Sequence, residues 1–226
     1  METLKTLEEI KHLTQELPWE KGNEDVLTNI FHEKLAPYFL YGGYIRVLNR
    51  YRIYIKRVEF YFHCENDGIK DDIVYHRNNY HVEGILPFFF PFTLHAHASG
   101  FDIAFESPEK EYRASALIRA YEIYDENEKK YLNYDKNTKK FVHSSEPAIN
   151  TQSTYLYDIL NGFGDAGIIS WVHDLLQLYT EPAKQNIKQD KRKGVYSKDR
   201  WPEKKYNEPR ERKWSFERNE SIIDII

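Results

Sequence analysis

The stretch Tyr51 to His63 holds the residues best suited to chemistry. Alternation along a β-strand places Ile53, Ile55, Arg57, Glu59, Tyr61 and His63 on one face. Val58, Phe60 and Phe62 share the other, which must be buried. Glu59 then sits mid-strand beside Tyr61, with apolar neighbours in sequence. A carboxylate held there is partly desolvated, the setting in which carboxylates become general bases. The same spacing also fits a plain ion pair with Arg57 or Arg119 on a solvated sheet face, and spacing alone favours that arrangement.

Asp102 alternates with Phe101, Ile103 and Phe105. Arg119 lies in the nearly continuous apolar run Ala114 to Tyr121, the pattern of a central strand, where an arginine needs a partner. Glu59 and Asp102 are the candidate partners, and a buried pair of this kind can be purely structural. All three are expected to meet. His95 and His97 share a strand face and could hold a metal with a carboxylate, although no third ligand is identifiable. His76 follows a polar loop and is expected near the surface. There is no Gly-rich phosphate loop, no Gly-x-Ser-x-Gly elbow and no His-Glu-x-x-His.

The elements that position these residues follow from periodicity. Leu4, Leu7, Ile10, Leu13 and Leu17 form the stripe of an amphipathic helix that stops before Pro18. Asn23 is expected to cap a second helix, with Val26, Leu27, Ile30, Phe31 and Leu35 inward and Pro37 as its end. Tyr44 to His63 reads as two antiparallel strands with a turn near Asn49-Arg50. Glu65 to Asp72 reads as a polar loop. Thr93 to Glu106 and Tyr112 to Tyr124 read as further strands, Asp125 to Lys140 as an exposed turn. Thr151 to Leu160 and Ala166 to Tyr179 read as helices. Beyond Pro182 the apolar period ends, which predicts an extended arm packed over the body, with Trp201 and Trp214 as anchors. No internal repeat is present. The expected fold class is α+β: one mixed, mainly antiparallel curved sheet with flanking helices in a core of residues 1–182, and a C-terminal arm of 183–226.

Composition narrows the class. The 226 residues are 41% hydrophobic and 30% charged, a globular balance rather than a disordered one. The 15% of aromatic residues suits strands and stacking surfaces, and codon bias explains it equally well. Cys64 is the single cysteine, which excludes an intrachain disulfide and a multi-cysteine metal site. No apolar run approaches the ~20 residues that cross a bilayer. The opening METLKTLEEI is acidic and lacks an apolar core, so no secretory leader is expected, and cytoplasm is the expected compartment. The net charge of −4 hides an asymmetry, since Lys184 to Lys213 carries +7 and the remainder −11. A basic arm on an acidic body is a footprint of phosphate contact, with Lys191, Arg192 and Lys193 as its densest run. A solvated charged tail has the same composition.

From Leu35 to Glu122 the order of motifs resembles the methylpurine-DNA (alkyladenine) glycosylases. Leu35-Ala36, Leu40-Tyr41-Gly42 and Ile45-Arg46-Val47-Leu48 precede Arg57-Val58-Glu59-Phe60-Tyr61 in that family's order and spacing. His76-Arg77-Asn78, Asp102-Ile103 and Leu117-Ile118-Arg119-Ala120-Tyr121-Glu122 continue it. The resemblance implies that Glu59 activates a water for attack on the sugar carbon and that Arg119 helps place the carboxylate and water. It further implies that Tyr61 stacks on a flipped base and that His76 lines the pocket. Asp102 stands where the family has Asn, adding a charge to the base-binding set. The family's Tyr-rich run, source of its DNA wedge, is here Phe90-Pro91-Phe92-Thr93-Leu94-His95-Ala96-His97, which leaves Phe92 or His95 for that role. The family's following Gly-Pro-Gly has no counterpart.

The expected function is therefore a monofunctional DNA glycosylase that needs no metal or organic cofactor, with DNA as partner. The alternative is a non-catalytic nucleic-acid- or protein-binding module on the same fold, and a third possibility is a metal-dependent hydrolase built on His95 and His97. A base-sized pocket beside Glu59, walled by Tyr61 and His76, marks the enzyme; a filled core there marks the module.

Overall fold

The computed structural model describes residues 7–71, 73–74, 87–97, 99–160, 186–193 and 211–221, and the backbone of 169–172. The fold is α+β; among the described residues ten strands form one sheet, and every pairing is antiparallel. No helix among the described residues is long and apolar enough to cross a membrane.

The apolar stripe of the first helix, α1 (Leu7–Gln15), buries Ile10. The next helix, α2 (Glu24–Ile30), does not stop at Pro37. It passes through a π-helical turn, Phe31–Leu35, into α3 (Ala36–Tyr41). Pro37 lies at the second residue of α3, directly after the π-helical turn, where the helix has already left the regular i to i−4 bonding that a proline breaks. The widened turn, in which the Ala36 N–H reaches the Phe31 carbonyl, accommodates the proline. Asn23 does not cap α2 with its side chain, which turns instead to Glu20 (Nδ2 to Oε2, 3.0 Å).

The sheet is organised around two 14-residue strands, β2 (Tyr51–Cys64) and β5 (Tyr112–Asp125), paired along their whole length. A turn with Leu48 and Asn49 both at positive φ joins β1 (Tyr44–Val47) to β2, the backbone that a tight hairpin demands. Beyond β5 lie β4 (Gly100–Ala104) and the edge strand β3 (Leu94–His97), so Thr93 to Glu106 is a hairpin and not one strand. It closes at Gly100, whose φ of +138° favours glycine and whose missing Cβ leaves room for Ser153. The stretch Asp125 to Lys140 is no solvated turn either: it contains β6 (Lys130–Asp135) and the start of β7 (Lys140–Ser144). After a 3₁₀ turn, Ser153–Leu156, and the short α4 (Tyr157–Leu160), Ile169–Val172 is β8, paired with β1, inside a stretch whose spacing predicts a helix. A run of four residues with Ile, Trp and Val satisfies both periods, and pairing decides. The remainder of Ala166 to Tyr179 lies outside the described residues, as does Trp201.

Two strands come from the predicted arm. β9 (Ile187–Asp190) pairs β10 (Ser215–Arg218), which pairs β2, so residues on both sides of 182 share one sheet. β1 takes Tyr51 to Ile53 of β2, and β10 takes Arg57 to Glu59 along the same edge. The register irregularity of β2 against β5, between Ile55 and Val58, falls at this handover, where a bulge bends the strand.

One face of the sheet is aromatic. Phe60 stacks on Phe31 with centroids 4.6 Å apart and contacts Phe39, Phe105 and Phe216. Trp214 is buried, meets Phe31 edge-on at 5.1 Å and donates through Nε1 to Thr28 (2.8 Å). Truncating a buried aromatic of this size costs ~3–5 kcal/mol.

Asp125 explains why the β5–β6 connection is ordered. Its carboxylate accepts from Arg50 (2.7 Å), His143 (2.9 Å) and the amides of Asn127 and Glu128. Burial opposes the charge, but these bonds outweigh it and hold the carboxyl well below its ordinary range. A depressed carboxyl contributes stability above its unfolded value of about 3.9 and loses it as pH falls through the folded value. Asp125→Asn is therefore expected to be less stable than the wild type at pH 7, with the gap narrowing below about pH 4. Urea titrations across that range measure it; a pH-independent gap contradicts the anchor.

Candidate functional site

The opposite face of the sheet is polar. Register puts His95, Asp102, Leu117, Glu59, Ser215 and Asp190 in one row across six strands. Neighbouring rows bring Ser115 beside Tyr61, and Glu217 beside Arg57. Glu59 is fully buried in the middle of this face.

Its carboxylate is met from three sides. Arg119 Nε lies 3.0 Å from Oε2, the Tyr61 hydroxyl donates to the same oxygen (3.2 Å), and the Lys193 amide donates to Oε1 (2.8 Å). Arg57 adds a cation 3.9 Å from Oε1. Among the described residues Glu59 accepts two hydrogen bonds and is flanked by two guanidinium groups, and since Oε1 receives one of those bonds, it keeps one of its two acceptor positions. Burial, then the Glu59 charge, push the Tyr61 hydroxyl well above its ordinary value, so it stays a neutral donor. Both ion pairs expected from the spacing, to Arg57 and to Arg119, are formed, on a face that is covered and not solvated.

The cover is a strap, Lys191 to Lys193, that leaves β9 and crosses the face. Arg119 Nη2 donates to the Lys193 carbonyl. Arg192 points inward: Nη1 and Nη2 meet the two oxygens of Asp71 at 2.6 and 3.2 Å, and the guanidinium lies 4.7 Å from the Tyr61 ring centroid and 5.2 Å from that of Trp214. Burial disfavours the Arg192 charge, but Asp71 outweighs it. Arg192 is thus not presented to a phosphate, contrary to the expectation for the basic run. Lys191 and Lys193 are exposed, paired with Glu211 and Asp190. Beside the strap opens a shallow cleft lined by Arg57, Lys188, Asp190, Lys193, Ser215 and Glu217.

Glu59, Tyr61 and Arg119 are brought together as expected. Asp102 does not join them. Leu117 separates it from Glu59 in the row, about 10 Å at two strand spacings. Asp102 instead accepts from Ser115 (3.0 Å), and its other oxygen lies 3.3 Å from His97 Nε2. The His97 Nδ1 accepts from the Ser99 amide, and His95 packs on Phe89 at 4.2 Å. Among the described residues no group of His, Cys, Asp and Glu is placed to hold a metal. His76 lies outside the described residues. Phe92 is half-buried against Phe39, whereas Phe90 at the same turn is 82% exposed.

The site contains residues that spacing alone does not single out. Asp71 sits in a loop whose composition reads as solvent-facing, and nothing in Lys191-Arg192-Lys193 marks the middle residue as buried. Arg113, next along the same face, is fully enclosed between Glu65 and Glu106, 3.0 Å from each, with Phe88 against its guanidinium. An arginine that alternates with Ala114 and Ala116 was the available signal.

Arg119 keeps 20% of its side chain exposed, so its removal is milder than that of a wholly buried partner. Arg119→Ala is expected to cost ~1.5–3 kcal/mol, the range for a hydrogen bond to a charged group. Urea unfolding checks this, and an unchanged midpoint would place the charge of Glu59 under other control. In comparison with known proteins, no family, no characterised protein and no solved structure matches this chain.

Proposed function

We propose that the chain is a monofunctional, base-excising DNA glycosylase, a divergent relation of the methylpurine-DNA glycosylases. The observation that supports this reading is the convergence of Arg119, Tyr61 and the Lys193 amide on the buried Glu59, with one acceptor position of Oε1 left open among the described residues. A water at that position gives its proton to Glu59 while its oxygen bonds to the sugar C1′. The N-glycosylic bond breaks and the base departs with the bonding electrons. The Arg119 and Arg57 charges steady the anion that must act as base. Flipping the nucleotide costs a few kcal/mol, least for a damaged or mispaired base. Tyr61 offers a ring for the flipped base, with Asp102 and His97 further along the same face.

A second reading, the non-catalytic module, is favoured by two observations: Glu59 has no exposed surface beneath the strap, and Arg192 already lies against the Tyr61 ring that a base would use. An excision screen over duplexes carrying varied modified bases, with alkaline cleavage of the abasic products, separates the two. For any base released, Glu59→Gln is expected to slow single-turnover excision by about 100-fold or more while duplex binding persists, because the amide keeps the shape but cannot take a proton. An equally active Gln variant removes Glu59 from the chemistry.

Phosphate contact rests on the exposed lysines. Reversing the charge of Lys191 and Lys193 is expected to weaken binding to all duplex sequences alike and to shallow the logarithmic salt slope by up to ~2. Titration of a labelled duplex at several salt concentrations reads both. An unaltered slope assigns these lysines to solvent.

A further inference from the structure

The strap and the carboxylate are coupled through a residue that the reaction itself does not use. We propose that Arg192, latched by Asp71, is the positioning residue of the Glu59 site; this rests on the glycosylase reading above. Its guanidinium grips the strand that carries Glu59 at more than one point. Nη1 donates to the Phe60 carbonyl (3.2 Å) as well as to Asp71. Asp71 is itself fixed to β2, since its amide donates to His63 Nδ1 (3.1 Å) and its carboxylate accepts from the Phe62 amide (3.4 Å). The rings of Tyr61 and Trp214 flank the guanidinium, so the same latch sets the Tyr61 ring.

The next residue delivers the effect. Lys193 acts through both of its own backbone groups: its N–H holds Glu59 Oε1 and its carbonyl receives Arg119 Nη2. Displacing the strap therefore loosens both members of the Glu59–Arg119 pair at once. The lysine side chains of the strap make exposed pairs, Lys191–Glu211 and Lys193–Asp190, which solvent screens. The buried, forked contact to Asp71 is the one with the geometry to fix its height above the sheet.

The test removes both charges, so that no unpaired ion is left buried. In the full chain, Arg192→Met with Asp71→Leu is compared with wild type by amide hydrogen exchange and by single-turnover excision of whichever base the wild type releases. Exchange of the Lys193 amide is expected to accelerate while the amides of β2 and β5 that pair with each other do not. Excision is expected to fall about 100-fold, the scale of a misplacement near 1 Å, with duplex affinity retained. Arg192→Lys, which keeps the charge but loses the fork, is expected to recover part of the rate. An unchanged Lys193 amide overturns the latch. An accelerated amide with an unchanged excision rate overturns its positioning role. If the wild type releases no base, the glycosylase reading fails by itself, and the exchange result alone upholds or overturns the latch.

Discussion

A carboxylate with no exposed surface, on the middle of a sheet, must be answered by donors from every direction that chain can reach. Glu59 is in that position, and much of the architecture supplies its needs. The neighbouring strand β5 brings Arg119, β2 itself brings Tyr61 and Arg57, and the chain beyond β9 brings the Lys193 amide. None of these elements is adjacent to all the others in sequence. The site therefore exists only when the sheet has assembled, and it reports on the correctness of that assembly.

The two faces of the sheet divide the work. Val58, Phe60 and Phe62 pack with Phe31, Phe39, Phe105 and Phe216, and this face carries the hydrophobic stabilisation. On the other side Arg119 pairs Glu59, Arg192 pairs Asp71, and Arg113 is shared by Glu65 and Glu106. Buried pairs of that kind add little net stability over apolar packing, yet losing one partner is expensive. Such a face constrains structure more than it stabilises it. That is the property a site needs if atoms must be held to a fraction of an ångström.

The legible part of this molecule is what alternation and charge show locally. A period of two along β2 separates Phe60 from Glu59, and an arginine in an apolar strand demands a carboxylate, so the Glu59–Arg119 pair could be anticipated. What escaped was set by long-range register. Asp102 has the right facing to join the pair, but the row places Leu117 between them. Pro37 has the chemistry of a helix stop, and a π-helical turn overrides it. Asp125 to Lys140 is polar enough for a loop, because a hairpin that is exposed on one side needs few apolar residues and one buried anchor, Asp125. Within Lys191-Arg192-Lys193 composition cannot tell an inward arginine from its outward neighbours; only the position of Asp71 does.

Register also explains why Lys193, and no other residue of the basic run, closes over Glu59. Asp190 pairs Ser215, and Ser215 pairs Glu59, so β9 ends in the row of the carboxylate, two strand spacings away. Two spacings are about 10 Å, and three extended residues span about the same distance. A chain that turns from Asp190 across β10 therefore reaches Glu59 at the third residue, which is Lys193. The side chain of the second then meets the edge of β2 next to the end of β10, where the Phe60 carbonyl, the Tyr61 ring and Asp71 receive it. A one-residue slip of β10 against β2 would turn Ser215 onto the aromatic face and carry the strap out of reach. The aromatic packing of Trp214 and Phe216 resists that slip, so the apolar face sets the register on which the polar face depends.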